Sequence, residues 1–169
     1  MARWVSTRIE IEPREALIVA AVLAAAAFGL VLMLNGTAIG LSFLGLAIAV
    51  AYPFTKRFFV MPQLVLGIAF GFGIPMAYAA IQETLPAECW LLLAANVCYS
   101  FAYDTEYAMV DRDDDAKLGI HTSALLLGKW EVAGVMTSYA GMIALLALVG
   151  ARLDLAWPFY AGLAAAGGM

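Results

Sequence analysis

Charge is what this chain has least of. Asp, Glu, Lys and Arg make up 13% of its 169 residues, against about 25% in an ordinary soluble domain. Apolar residues fill the space, at 64% of the chain with a mean hydropathy of +0.90. These values describe an integral membrane protein. Only nine residues are Lys or Arg and they form no basic stripe, which argues against nucleic acid as a partner. The two cysteines, Cys89 and Cys98, lack metal-type spacing and read as small buried hydrophobes. A cleavable signal peptide is not evident: Arg3, Arg8, Glu10, Glu12 and Arg14 precede the first apolar run, and no small-residue cleavage site follows a short core. Internal repeats, low-complexity linkers and a second domain are also missing, so residues 1–169 read as one domain.

What is present is a series of apolar runs. A helical span needs about 20 mostly apolar residues. Residues 16–34, 37–52, 63–81, 90–103 and 130–149 supply five such runs, and 157–169 begins a sixth. Asn35-Gly36 forms a tight turn between the first two, and Pro53 is expected to end the second. Gly67, Gly71, Gly73 and Pro75 interrupt the third, where they permit close packing and kinks. The expected fold is all-α, a polytopic transmembrane bundle. By parity, the N-terminal flank, the Lys56-Arg57 loop and the loop with Arg112, Lys117 and Lys129 share one side. Eight of the nine basic residues then lie on that side, which makes it cytoplasmic. Trp90, Trp130 and Trp157 sit near span ends, as interfacial anchors do.

Five of the six aspartates fall between Asp104 and Asp115, just beyond the fourth run. Carboxylates are costly at membrane depth and mark functional sites. Read as a helix end, Asp104, Asp111 and Asp115 are spaced seven and four apart, and Tyr107 falls between the first two. At 3.6 residues per turn these four share a face, while Asp113 and Glu106 point elsewhere. Three aligned carboxylates repel one another unless cations or a metal ion sit among them. A divalent ion of the Mg²⁺ type takes oxygen ligands and joins one or two carboxylates to a substrate phosphate. The bland alternative is a solvated acidic cap paired with Arg112 and Lys117. A second polar cluster, Tyr52-Pro-Phe-Thr-Lys56-Arg57, lies on the same side. Its two cations serve either as membrane anchors or as holders of phosphate or carboxylate oxygens. Asn96, within the fourth run, is read as a hydrogen bond between helices. The single histidine, His121, is read as surface loop rather than as a general base.

These residues resemble a known family. Tyr52-Pro-Phe-Thr-Lys56-Arg57, Pro62-Gln63-Leu-Val-Leu-Gly67, Gly71-Phe-Gly-Ile-Pro75-Met-Ala77 and, above all, Asp104-Thr-Glu-Tyr107-Ala108-Met-Val-Asp111-Arg-Asp-Asp-Asp115-Ala-Lys-Leu-Gly119 are similar to the UbiA-type intramembrane prenyltransferases. Within them the likeness is nearest to the branch acting on 4-hydroxybenzoate in ubiquinone biosynthesis. The resemblance implies a bundle of about nine helices around a cavity. It implies Mg²⁺-dependent transfer of a polyprenyl group from polyprenyl diphosphate to the ring of 4-hydroxybenzoate, in a bilayer, in the bacterial inner membrane. No protein partner is implied. By motif position, Asp111 and Asp115 hold the metal, and Asp104 and Tyr107 line the site. Tyr52 and Lys56 contact the diphosphate side, and Arg57 meets diphosphate or the benzoate carboxylate.

The chain also departs from the family. A first metal motif, Asn-Asp-x-x-Asp-x-x-x-Asp, belongs on an earlier helix, yet no Asn-Asp pair occurs here and no Asp precedes Asp104. The expectation is therefore an internal fragment, truncated at both ends and inactive when isolated. Rival readings are a superfamily member with a haem, chlorophyllide or naphthoate acceptor, and a non-catalytic membrane subunit. A phosphatidyltransferase lacks support because its Asp-Gly and Ala-Arg pairs are absent from the motif, and a cation transporter because the spans carry no acid near their middles.

Overall fold

Apolar runs of this length leave the backbone no partner but itself in lipid, and the helix is the local solution. The computed structural model describes residues 12–55, 58–119 and 121–168, and its regular elements are all helical among those residues. The helices are α1 (Pro13–Val31), α2 (Gly36–Thr55), α3 (Pro62–Gly71), α4 (Gly73–Gln82), α5 (Ala87–Val110), α6 (Arg112–Leu118), α7 (Ser123–Leu127), α8 (Glu131–Arg152) and α9 (Trp157–Gly167). Four stretches among the described residues are long and apolar enough to cross a membrane: Pro13–Val31, Gly36–Thr55, Pro62–Gln82 and Ser123–Arg152. Helix α5 has the length, at 24 residues, but Glu88, Asn96, Asp104 and Glu106 dilute its apolar content.

The chain divides into two compact units, Met1–Leu34 and Asn35–Met169. The first is described by α1 alone. It starts at Pro13, where the missing N–H costs nothing, and carries Glu15 in its first turn.

In the second unit the helices pack in a row. Helix α2 lies against α3 and α4, these lie against α5, α5 packs most extensively on α8, and α9 covers α8. Asn35 opens the row. Its Oδ1 accepts from the N–H of Ala38 at 2.9 Å, capping α2, and its Nδ2 donates to the carbonyl of Ala79 at 2.6 Å. Pro53 does not end α2. The helix runs on to Thr55, whose hydroxyl donates to the Tyr52 carbonyl at 2.6 Å. A proline in the last turn forfeits one ladder bond without stopping the helix, because that bond lies at its end.

The third apolar run does break, at Phe72 between α3 and α4. Pro75 lacks the N–H that would bond the Gly71 carbonyl four residues back, so the helix is interrupted there. Helix α3 sits close against α5. A Cβ built at Gly67 would stand 2.8 Å from the Cα of Val97, and Asn96 donates to the Gly67 carbonyl at 2.9 Å. Asn96 is thus an interhelical tie, as its place in an apolar run suggested. Because backbone blocks that Cβ, Gly67→Ala is expected to destabilise the protein by about 1–3 kcal/mol, measured as a lower unfolding midpoint in detergent.

Two ion pairs hold the antiparallel α5–α8 hairpin. At its far end Arg152 Nε donates to Glu88 Oε1 at 2.6 Å. The Glu88 carboxyl is held below the usual range, first by a bond from its own backbone N–H at the helix start and then by the Arg152 guanidinium. This pair therefore stabilises the fold above the pH at which an unfolded glutamate titrates, and its contribution is lost as pH falls through the lowered value. At the other end Arg112, the first residue of α6, pairs with Glu131, the first residue of α8.

Candidate active site

Helix α5 runs straight through Asp104 and Tyr107, then yields at Asp111, whose backbone sits at φ −90°, ψ 4°. The Asp111 carbonyl accepts the N–H groups of both Asp114 and Asp115, at 3.0 and 2.9 Å, so α6 starts at once. Gly119 ends α6 in the left-handed region, at φ +66°. The following loop is fastened to α5 from beneath. The buried Thr105 hydroxyl donates to the Phe101 carbonyl at 2.5 Å and lies 2.6 Å from the Ser123 hydroxyl. Thr122 caps α7 by accepting from the N–H of Leu125.

This framework gathers Asp104, Tyr107, Asp111 and Asp115 around one polar cleft of about 120 Å³, closed by Gln63 and Thr122. The break at Asp111 leaves the shared face intact. Asp113 and Asp114 are exposed, and Asp114 pairs with Lys117 at 3.0 Å. Glu106 borders a different hollow, against α8 and α9. Arg112, which the bland alternative paired with its aspartate neighbours, is taken by Glu131 instead. His121 lies exposed, and Cys89 and Cys98 are unbridged.

A second, larger cavity of about 500 Å³ shares Asp104 and Tyr107 with the cleft. Tyr52, Phe70, Tyr99 and Tyr103 supply its aromatic wall, with Leu66 and Ser100 beside them. Tyr99, Tyr103 and Tyr107 are four residues apart on α5 and form a ladder. Ring centroids are 5.9 Å apart for the first pair and 4.9 Å for the second, and the Tyr103 hydroxyl donates to that of Tyr107 at 3.2 Å. Of the residues expected at the site, Tyr52, Asp104, Tyr107, Asp111 and Asp115 line one or both spaces; Lys56 and Arg57 lie outside the described residues. The ladder and Gln63 were not foreseen. The four-residue period of the tyrosines was available as a signal, whereas nothing local marks Gln63.

The donor set fits a hard cation. The carboxylates of Asp104, Asp111 and Asp115 on the cleft offer oxygen atoms of the kind a hard cation takes. No group of three or more His, Cys, Asp or Glu side chains among those residues gathers tightly enough to hold a metal by itself. That suits an ion bound through one or two carboxylates and completed by water or phosphate.

The Arg112–Glu131 pair keeps a guanidinium away from these carboxylates. With Glu131 largely buried and Arg112 part-exposed, Glu131→Ala is expected to cost about 1–3 kcal/mol, between the values for exposed and buried pairs. A lower unfolding midpoint in detergent, with no comparable effect from Asp113→Ala, is the check.

Comparisons with known proteins point the same way. Residues 3–169 match the family described as the UbiA prenyltransferase family. A 4-hydroxybenzoate octaprenyltransferase of Thiobacillus denitrificans is 56% identical over 158 residues, covering 94% of this chain and 54% of that relative. One of Ralstonia nicotianae, with the same name, is 58% identical over 156 residues, covering 92% and 54%. The chain thus spans about half the length of the curated relatives it matches. The apo structure of a UbiA homolog from Aeropyrum pernix K1 superposes with a TM-score of 0.81 at 31% identity, covering 93% of this chain and 60% of the other.

Proposed function

The chain belongs to the UbiA prenyltransferase family, and from that premise we propose that it forms part of an enzyme transferring a polyprenyl group from its diphosphate to the ring of 4-hydroxybenzoate. The observation that carries this reading is the shared wall. One acidic cleft and one aromatic cavity meet at Asp104 and Tyr107, matching a substrate that is anionic at one end and hydrocarbon at the other. The names of the relatives supply the acceptor.

In this mechanism the C–O bond of the allylic diphosphate breaks, and its electron pair leaves with the diphosphate. The ring carbon ortho to the phenol oxygen then bonds the allylic carbon and gives its proton to the released diphosphate, which restores the aromatic ring. When bound, Mg²⁺ supplies charge stabilisation for the leaving diphosphate. Asp111 and Asp115, on either side of the start of α6, would hold the ion. Asp104 and Tyr107 orient the reacting centre where the two spaces meet. Lys56 contacts the diphosphate, and Arg57 meets the diphosphate or the benzoate carboxylate. The aromatic wall of Tyr52, Phe70, Tyr99 and Tyr103 would stabilise the allylic cation, and the apolar cavity would keep water from quenching it. Loop charge supports an inner-membrane protein with both polar loops on the cytoplasmic side.

The test is a chimera in which the half of the Thiobacillus denitrificans relative not matched by this chain is joined to it. With Mg²⁺, a polyprenyl diphosphate and 4-hydroxybenzoate, the expected product is the ring-prenylated acid, identified by mass spectrometry. A folded chimera that prenylates only a naphthoate, or nothing, would overturn the assignment.

A further inference from the structure

Thr105 and Ser123 are both 0% exposed, and both carry a hydroxyl. Buried hydroxyls are found with their hydrogen bonds made. Each has one proton to give, and Thr105 gives its own to the Phe101 carbonyl at 2.5 Å. In the 2.6 Å contact between the two side chains Ser123 is therefore the donor. The result is a directed chain, from Ser123 to Thr105 to Phe101, in which both protons are used. It joins two neighbours of the acidic cleft. Thr105 directly follows Asp104 on α5, and Ser123 directly follows Thr122 at the start of α7. Asp104 and Thr122 both line the cleft. Helix α6, which carries Asp115, begins at the Asp111 turn and packs on α5 and α7.

We propose that Thr105 and Ser123 are positioning residues that set the width of the acidic cleft. The inference rests on reading that cleft as the diphosphate end of the prenyltransferase site. Neither residue is among those lining the cleft. Each acts through its neighbour in sequence: the hydroxyl pair fixes the start of α7 against α5, and with it the separation of Thr122 from Asp104. Helix α6 is then held from both sides, by the Asp111 turn before it and by the fastened α7 after it. An apolar contact at the same place would let α7 slide, because dispersion has no preferred direction. A hydrogen bond weakens steeply when misaligned, so this pair specifies one spacing.

Three substitutions separate a hydroxyl tie from packing. Thr105→Val keeps the size and loses the hydroxyl, Thr105→Ser keeps the hydroxyl and loses a methyl, and Ser123→Ala removes the donor. In the 169-residue chain in detergent, hydrogen exchange is read by mass spectrometry at the α7 amides of Leu125 and Leu126, which bond to Thr122. Thr105→Val and Ser123→Ala are expected to speed exchange there about tenfold, with α8 unchanged, and Thr105→Ser to match wild type. In the chimera, kcat/KM for polyprenyl diphosphate is expected to fall about tenfold or more in Thr105→Val and to stay near wild type in Thr105→Ser. A packing role alone predicts the opposite order, because serine leaves a void and valine does not. The inference fails if Thr105→Val leaves α7 exchange unchanged, speeds α8 equally, or loosens α7 with no loss of kcat/KM. If the wild-type chimera gives no product, the reading of the activity fails; faster exchange at α7 then supports the tie and unchanged exchange overturns it. Should Thr105→Val not fold, Ser123→Ala decides by the same two readings.

Discussion

Replacing Asp111 or Asp115 with alanine in the completed chimera is expected to lower turnover by about a thousandfold or more, while leaving the unfolding midpoint nearly unchanged. Removing even one preorganised group that stabilises developing charge costs about a hundred- to a thousandfold. On the proposed reading, a lost carboxylate would also remove the hold on an ion that stabilises the leaving diphosphate. Stability should be spared because Asp111 is exposed and Asp115 half-buried, and among the described residues neither side chain makes a hydrogen bond or ion pair that supports the fold. The backbone of Asp111 organises the turn into α6, and alanine preserves it. Steady-state rates at saturating Mg²⁺, beside thermal melts, separate the two effects. Normal turnover in either variant would break the assignment of these residues.

An equally large contrast is expected between the 169-residue chain and the chimera. With Mg²⁺, polyprenyl diphosphate and 4-hydroxybenzoate, the chain by itself should give no detectable prenylated product under conditions where the chimera turns over. The reason lies in the ligand inventory. The 169 residues contain no Asn-Asp pair and no aspartate before Asp104, and the described carboxylates form no close group of three or more. A single-motif cleft can bind an ion, yet it offers few anchors for a diphosphate bearing several negative charges. Turnover by the chain alone would show that one motif suffices.

The site was legible where its logic is local. Asp104, Tyr107, Asp111 and Asp115 share a helical face by spacing, and they line one cleft even though the helix yields at Asp111. The third apolar run was legible too, since Pro75 foretells a broken bond at Gly71. Its consequence, a break at Phe72, falls where the missing N–H puts it. What escaped depended on partners distant in sequence. Arg112 sits beside four aspartates, so proximity along the chain favoured pairing with them. It is Glu131, nineteen residues on, that takes it. Tyr99 and Tyr103 looked like ordinary constituents of an apolar run, and their role as a cavity wall depends on α2 and α3 arriving opposite. Nothing local marks Gln63, and only the fold shows that its side chain is buried beside the acidic cleft. Pro53 misled because proline was taken as a stop, though in a last turn it removes only a bond near the helix end.

The two ion pairs at opposite ends of the α5–α8 hairpin have a mechanical consequence. If α8 slid along α5 by one residue, about 1.5 Å, both pairs would be stretched or misaligned in the same movement, so the hairpin resists shear. The broken run opposite is tied from its two flanks instead, by Asn96 to the Gly67 carbonyl and by Asn35 to the Ala79 carbonyl, so a change of angle between α3 and α4 would fall at Phe72 while both halves stay fastened to their neighbours.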